Sequence, residues 1–176
     1  MLVVEDETEL ADLYADYLRG TYAVDVAYSG EEAIEMLSEA YDAVLLDRRM
    51  PVVSGNEVVL EMEERGIETR VAMVTAVNPD FDIIDLGIDD YLVKPVTWQE
   101  VLDTVERRLK ISEYNERAQE LTAKKLKRNV LEVEKTRAEL QESDEFERLT
   151  AEIEALEVEV EDIAAELDAE NLERYI

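Results

Sequence analysis

The chain contains 176 residues, of which 46 are acidic and 18 basic, and its formal net charge at pH 7 is −28. This length admits one domain of moderate size with a smaller appendage, and it excludes two large domains. Because cysteine and histidine are both absent, the sequence excludes disulfides, thiolate metal sites and an imidazole base.

The excess of negative charge indicates the surroundings in which the chain works. It would repel nucleic acid and anionic membranes at low salt, but at molar salt the screening length falls to about 3 Å and the self-repulsion largely disappears. We interpret the composition as that of an extreme halophile; an unusually acidic mesophilic protein is the alternative. Acidic residues follow the short apolar run 1–4 at once, and no apolar stretch approaches bilayer length, so a cytoplasmic protein without membrane contact is expected.

Strand-like and helix-like patterns alternate along residues 1–109. Five short apolar runs rich in β-branched residues predict strands at 2–4, 23–26, 43–46, 71–74 and 91–93. Helical patterns lie between and after them, near 7–18, 31–39, 56–65, 82–86 and 97–109. This alternation predicts an α/β domain over residues 1–109, with a doubly wound, five-stranded parallel sheet.

Several residues capable of chemistry follow these predicted strands. Glu5 and Asp6 follow the first strand, Asp47 the third and Lys94 the fifth, and Thr75 ends the fourth. Because ligands gather at the carboxyl ends of parallel strands, we expect these side chains to converge. A strand-end cap, a surface lysine and an ordinary strand threonine are the structural alternatives for the individual residues, but clustered acids without a cation are too costly to arise by accident.

Four motifs give this arrangement a family resemblance. Residues 3–7, 46–51, 74–76 and 90–95 resemble the landmark motifs of response-regulator receiver domains. The resemblance implies a flavodoxin-like fold in which Asp47 accepts a phosphoryl group from a sensor histidine kinase. It also implies a signalling protein and not a turnover enzyme. Haloacid-dehalogenase-like phosphatases also use a strand-end aspartate, but they need a second acid two residues later, where this chain has Arg49.

A divalent cation would offset the repulsion among the clustered carboxylates. Magnesium prefers about six oxygen ligands, so Asp6 and Asp47 are expected to bind Mg²⁺ directly, and Glu5 directly or through water. The resemblance implies that the backbone carbonyl of Arg49 supplies a further ligand. Glu5 departs from the usual pair of aspartates, and the bulky Arg49 is a second departure from the common pattern.

Three further residues receive roles from the resemblance. Lys94 would offset charge on the phosphoryl oxygens, and the hydroxyl of Thr75 would hydrogen-bond one of them. Tyr91 stands where receivers often carry an aromatic switch residue, which would turn when Thr75 moves and bias a surface made by the fourth helix, fifth strand and fifth helix. An ordinary core tyrosine is the alternative.

Residues 110–176 contain no glycine or proline and favour helix. A seam with alternating steps of three and four predicts a coiled coil or helical hairpin that needs a partner helix; it comprises Phe146, Leu149, Ile153, Leu156, Val160, Ile163 and Leu167. Asp144 and Glu147 resemble a capping pair, which predicts that one helix ends near residue 142 and another starts after Asp144.

One basic cluster stands out within this acidic region: Lys124, Lys125, Lys127 and Arg128. The favoured interpretation is charge complementarity with the acidic helix that follows, in an antiparallel hairpin or a dimer. The alternative is contact with DNA phosphates.

The C-terminal region also has a family resemblance. From 134–140 through 167–168 it resembles the HalX domain found after receivers in haloarchaeal regulators, which implies an output or dimerisation domain over residues 110–176 and a role in transcription regulation. A homodimer is expected. An adaptor that acts by protein contacts, without binding DNA, is the alternative function.

Overall fold

The computed structural model describes residues 1–79 and 81–173, and the chain divides into two compact units at the junction of Leu109 and Lys110. The first unit contains a sheet of five strands: β1 (Leu2–Val4), β2 (Asp25–Ala27), β3 (Ala43–Leu46), β4 (Arg70–Thr75) and β5 (Asp90–Val93). All neighbouring strands are parallel, in the order β2-β1-β3-β4-β5. The predicted doubly wound, flavodoxin-like sheet is therefore confirmed.

Helices cover both faces of the sheet. The first unit contains α1 (Thr8–Arg19), α2 (Gly30–Met36), α3 (Gly55–Arg65) and the first part of α4 (Trp98–Glu134). Side chains alternate between the faces along a strand. In β1, Leu2 and Val4 join the apolar cluster that contains residues of α2 and α3, whereas Val3 joins the cluster that contains Tyr14 of α1 and Val101 of α4. The inner strands β1, β3 and β4 are buried on both sides, and they therefore read as nearly continuous apolar runs.

Two signals in the sequence define the ends of α3. The hydroxyl of Ser54 accepts from the backbone N–H of Glu57, and the Glu57 carboxylate accepts from the N–H of Ser54 in return. At the other end Gly66 adopts φ 69°, a left-handed conformation that glycine reaches without steric cost. The helix therefore begins and ends within one residue of its predicted bounds.

The connection between β4 and β5 differs from the prediction. The helix expected near 82–86 is a single 3₁₀ helix, Phe81–Asp85, because the segment between Pro79 and Gly87 is too short for several α-helical turns. The predicted output surface of a helix, a strand and a helix therefore has a 3₁₀ turn in place of its first helix.

The second unit is helical. It contains the remainder of α4, the short α5 (Arg137–Gln141) and α6 (Asp144–Glu173). Three ion pairs show that α4 and α6 are antiparallel, because the residue numbers rise along α4 as they fall along α6. These pairs are Lys110 to Glu166 at 3.2 Å, Arg117 to Glu159 at 3.4 Å and Lys124 to Glu152 at 2.6 Å. Ile153 and Leu156 of the predicted seam are buried. The seam therefore has its partner helix within the chain, and the predicted helical hairpin is confirmed.

The predicted position of the break between the two long helices was wrong in its details. Helix α4 ends at Glu134, eight residues before the predicted end, and α5 starts with a capping box formed by Thr136 and Glu139. The hydroxyl of Ser143 accepts from the N–H of Phe146 at 3.2 Å, so Ser143 and not Asp144 caps α6. Among the described residues, no helix has both the length and the apolar character needed to cross a membrane.

Candidate functional site

Two adjacent strands bring the predicted carboxylates together. Val4 of β1 and Leu46 of β3 are direct neighbours in the sheet, and the residues that follow them, Glu5 and Asp47, leave the sheet at the same edge. The backbone N–H of Asp47 donates to the Val4 carbonyl at 2.8 Å. Carboxylate oxygens of Glu5, Asp6 and Asp47 lie within 4.8 Å of one another, so the convergence of these three residues is observed.

Lys94 joins this cluster from the end of β5. Its Nζ lies 2.6 Å from Oε2 of Glu5 and 3.5 Å from Oδ1 of Asp47. The Lys94 side chain is 15% exposed, that of Glu5 2% and that of Asp47 6%. The lysine therefore offsets buried negative charge, but the cluster has three carboxylates and Lys94 contacts two of them.

Burial sets the protonation behaviour of the two innermost acids. Desolvation raises the pKa of the Asp47 carboxyl above its ordinary value, while the positive charge of Lys94, the backbone N–H of Arg49 and the Thr75 hydroxyl act in the opposite direction. Desolvation likewise raises the pKa of Glu5, against the hydrogen bond from Lys94. The cluster therefore holds its negative charge at a cost, which a bound cation would reduce.

One oxygen of the cluster indicates where a cation fits. Within the described part of the chain, Oδ1 of Asp47 is buried and accepts no hydrogen bond, although the Lys94 ammonium lies 3.5 Å away; such atoms are rare unless a water or ion satisfies them. Magnesium takes carboxylate oxygens as ligands. The donor set of Glu5, Asp6 and Asp47 therefore fits a magnesium ion.

The other residues predicted for the site lie around this cluster. Thr75 is fully buried at the end of β4, and its hydroxyl accepts from the Val77 N–H at 3.4 Å. Arg49 has an exposed side chain, so its bulk does not fill the carboxylate cluster.

Gly55 is a structural requirement of the site that the sequence reasoning missed. A Cβ at this position would lie 2.3 Å from the backbone oxygen of Asp47 and 2.9 Å from the Cα of Arg48. The Gly55 N–H also donates to the Arg48 carbonyl at 3.0 Å. Only glycine permits this close approach, and it holds the loop that carries Asp47.

Tyr91 is half-buried, and its hydroxyl makes two hydrogen bonds. It donates to the Val77 carbonyl at 2.9 Å and accepts from Nη1 of Arg48 at 3.3 Å. Arg48 is the second residue that sequence reasoning missed. Its position directly after Asp47 could have identified it as a residue near the site. The Arg48–Tyr91–Val77 link connects the residue after Asp47, the strand β5 and the loop after Thr75.

The predicted basic cluster lies on α4 in the second unit. Lys124 contacts Glu152 at 2.6 Å and Lys125 contacts Glu157 at 2.7 Å, both across the hairpin, and Arg128 lies 3.8 Å from Glu132. The hydrogen bond to Glu152 raises the pKa of Lys124. These contacts favour the interpretation as charge complementarity between helices.

Comparisons with known proteins agree with this arrangement. The response regulator receiver domain family matches residues 1–106, and the HalX domain family matches residues 110–176. A Haloferax volcanii protein, provisionally named a transcriptional regulator, is 43% identical over 162 residues, which cover 92% of this chain. The transcriptional regulatory protein CutR of Streptomyces coelicolor is 44% identical over 110 residues, or 60% of this chain.

A solved structure extends the comparison to three dimensions. The response regulator protein TrrA from Thermotoga maritima, in complex with Mg²⁺ and beryllofluoride, is 31% identical with a TM-score of 0.54, covering 61% of this chain and 96% of that one. The chain spans only 28% of the length of the Haloferax protein and 51% of that of CutR. These relatives therefore contain regions that have no counterpart in this sequence.

Proposed function

Because the chain belongs to the response regulator receiver family, we propose that it is a phosphorylation-switched signalling protein with Asp47 as the phosphoryl acceptor. The observation that carries this proposal is the buried cluster of Glu5, Asp6 and Asp47 with Lys94. The Asp47 carboxylate, whose side chain is 6% exposed beside Lys94, supplies the proposed nucleophile.

A receiver domain implies a histidine kinase as partner. In the proposed step, a carboxylate oxygen of Asp47 attacks the phosphorus of the kinase phosphohistidine. The phosphorus–nitrogen bond breaks, and the imidazole leaves with the electron pair and takes up a proton. Lys94, 3.5 Å from Asp47, would donate to a phosphoryl oxygen, and the Thr75 hydroxyl would donate to another. The chain is a substrate in this reaction and is not a turnover enzyme.

Receiver domains typically bind Mg²⁺ in an acidic pocket, and the grouping of Glu5, Asp6 and Asp47 fits that chemistry. The proposed ligands are Asp6 and Asp47, with Glu5 direct or through water and the carbonyl of Arg49. When bound, magnesium would supply positive charge that offsets the repulsion between these carboxylates and the incoming phosphoryl group.

The proposed switch uses the Arg48–Tyr91–Val77 link. A Thr75 hydroxyl drawn toward a phosphoryl group would disturb the loop that contains Val77, because the Val77 N–H donates to that same hydroxyl. Tyr91, which donates to the Val77 carbonyl, would then lose or change its anchor. Phosphorylation would thereby bias the position of Tyr91.

The output of the switch is proposed to be transcription regulation in the cytoplasm, by analogy with relatives named as transcriptional regulators. The ion pairs of Lys124 and Lys125 across the hairpin favour output through protein contacts over direct binding to DNA. An adaptor that dimerises without contacting DNA is therefore the second candidate function.

The test measures phosphoryl uptake by intact mass after incubation with acetyl phosphate and Mg²⁺ in molar KCl. The native chain is expected to gain one phosphoryl group, and Asp47→Asn none. Asp42→Asn removes an exposed aspartate before the same strand and should leave uptake unchanged. Chelation of the metal should abolish uptake; uptake by Asp47→Asn, or none by the native chain, would contradict the proposal.

A further inference from the structure

The distal end of the helical hairpin, residues 121–149, differs in charge from the rest of the chain. We call this segment the hairpin tip. It contains seven basic and seven acidic residues, so it is formally neutral, and the remaining residues carry the entire net charge of −28. Two copies of this chain would repel each other over most of their surfaces, but not here.

The hairpin tip also exposes apolar surface. Leu126 and Val130 are each 61% exposed and Val133 is 82% exposed. Their spacing of four and three residues puts them on one side of α4. Exposed apolar residues gathered in one stripe, unlike isolated ones, indicate an interaction site.

This stripe borders a groove of about 810 Å³. Six apolar side chains from α4, α5 and α6 line it: Leu126, Val130, Leu131, Leu140, Phe146 and Leu149. Charged residues of both signs also line it: Lys127, Lys135, Glu139 and Glu145, with Lys135 and Glu139 in contact at 3.5 Å. An apolar surface combined with polar residues is typical of a protein interface.

The charges of the tip suit a second copy better than another partner. Lys127 and Arg137 form no ion pair with any side chain that the structure describes, and the same holds for Glu142, Asp144 and Glu147. In a twofold contact each copy presents the same surface to the other. A surface that carries unpaired charges of both signs can then be complementary to itself, whereas a strongly acidic or basic partner would meet like charges.

We propose that the hairpin tip is a self-association surface, in which the groove and the stripe of one copy pack against those of a second copy. The groove is lined by eleven residues, fewer than the roughly 20–30 residues a side of a standard interface, so we expect association in the micromolar range. This inference does not depend on phosphorylation of Asp47.

The test is sedimentation velocity of the unphosphorylated full chain in molar KCl, over a wide range of concentration. Val130→Glu introduces a charge into the groove and should weaken association at least about tenfold. Val158→Glu is the matched control: Val158 is also an exposed valine of the hairpin, at 58%, but lies on α6 outside the tip. This control should associate like the native chain, as should Asp47→Asn.

Salt provides a second readout. Association through an apolar, neutral surface should persist or strengthen as KCl is raised, whereas contact with nucleic acid phosphates weakens steeply. A native chain that stays monomeric at every concentration would overturn the proposal and leave the groove to a different partner. Equal effects of Val130→Glu and Val158→Glu would also overturn it.

Discussion

The two units of the molecule use charge in opposite ways. In the first unit, a few charged groups are buried together at the strand ends, where the side chains of Glu5, Asp47 and Lys94 are 2%, 6% and 15% exposed. In the second, charges line the helix surfaces in exposed pairs, such as Lys124 and Glu152 at 22% and 54%. The Nζ to Oε2 distance is 2.6 Å both in Lys94–Glu5 and in Lys124–Glu152.

The two ion pairs differ in their exposure to solvent and not in their length. An exposed ion pair is screened and contributes about 0–1 kcal/mol. A buried charge that loses its partner costs several kcal/mol, because water no longer compensates it. The pairs across the hairpin therefore fix which helix faces meet, whereas the repulsion within the buried cluster is a cost that a bound cation would reduce.

Replacing the buried lysine should have the largest effect on stability. Lys94→Met leaves Glu5 and Asp47 without their positive partner, and we expect it to cost about 3 kcal/mol at neutral pH without divalent cations. Burial already raises the pKa of Glu5, and loss of the lysine raises it further. A carboxyl with a raised folded-state pKa is most costly above that pKa, so the deficit should shrink as the pH falls and Glu5 takes up a proton.

The matched control breaks the pair of equal length in the second unit. Lys124→Met should lower the free energy of unfolding far less than Lys94→Met does, with little dependence on pH, because solvent screens this pair. Denaturant unfolding of both variants in molar KCl with a chelator measures the difference. Equal costs for the two substitutions would contradict the contrast between the units.

Removing a buried negative charge should stabilise the protein. Because burial raises the pKa of Asp47, the charged form destabilises the folded state above that pKa. Asp47→Asn should therefore raise the free energy of unfolding by about 1 kcal/mol at neutral pH without metal. The gain should vanish at acid pH, where the native Asp47 is itself protonated. Added Mg²⁺ should stabilise the native chain more than the variant; a variant less stable than the native chain at neutral pH would refute the predicted strain.

Removing the N-cap of α5 should have an effect of similar size, but confined to the second unit. Thr136→Ala removes the hydroxyl that accepts from the backbone N–H of Glu139 and should cost about 1 kcal/mol of local stability. Because α5 contributes Leu140 to the groove, self-association should weaken as well. Hydrogen exchange of α5 measures the first effect and sedimentation the second. Phosphoryl uptake should not change, and a loss of uptake would show that the units are not independent.

The smallest effect on stability is expected from breaking the Arg48–Tyr91–Val77 link beside the carboxylate cluster. Tyr91→Phe removes the hydroxyl that contacts Val77 and Arg48, and it should cost about 0.5 kcal/mol because the half-buried groups regain water. Phosphoryl uptake should persist, since Tyr91 does not contact Asp47 in the proposed step. Uptake lost together with the hydroxyl would instead place Tyr91 in the transfer itself.

The sequence predicted the fold and the convergence of the site because both follow from periodicity. Five apolar runs alternating with helices dictate a parallel sheet, and residues that follow parallel strands must meet at one edge. Asp47 beside Glu5 is therefore a consequence of topology. Individual side-chain contacts do not follow from topology. The side chain of Arg48 can adopt several rotamers, and only the packing around it selects the one that reaches the hydroxyl of Tyr91.

The second unit shows a different limit. Charge complementarity of the helices was visible in the sequence, but the register that pairs Lys124 with Glu152 depends on where the turn falls. The sequence analysis placed the end of the first helix from the capping pair of Asp144 and Glu147, but the structure has a further capping box at Thr136 and Glu139. A local capping signal does not by itself fix the length of the helix before it, which depends on the packing of the hairpin.

The most direct test of the central claim is chemical identification of the phosphorylated residue. Borohydride reduces an aspartyl phosphate to homoserine, which peptide mass mapping locates in the chain. After treatment with acetyl phosphate and Mg²⁺, homoserine is predicted at Asp47 and at no other aspartate, and it should be absent without the phosphodonor. Homoserine at another aspartate, or none despite phosphoryl uptake, would contradict the assignment of Asp47 as the acceptor.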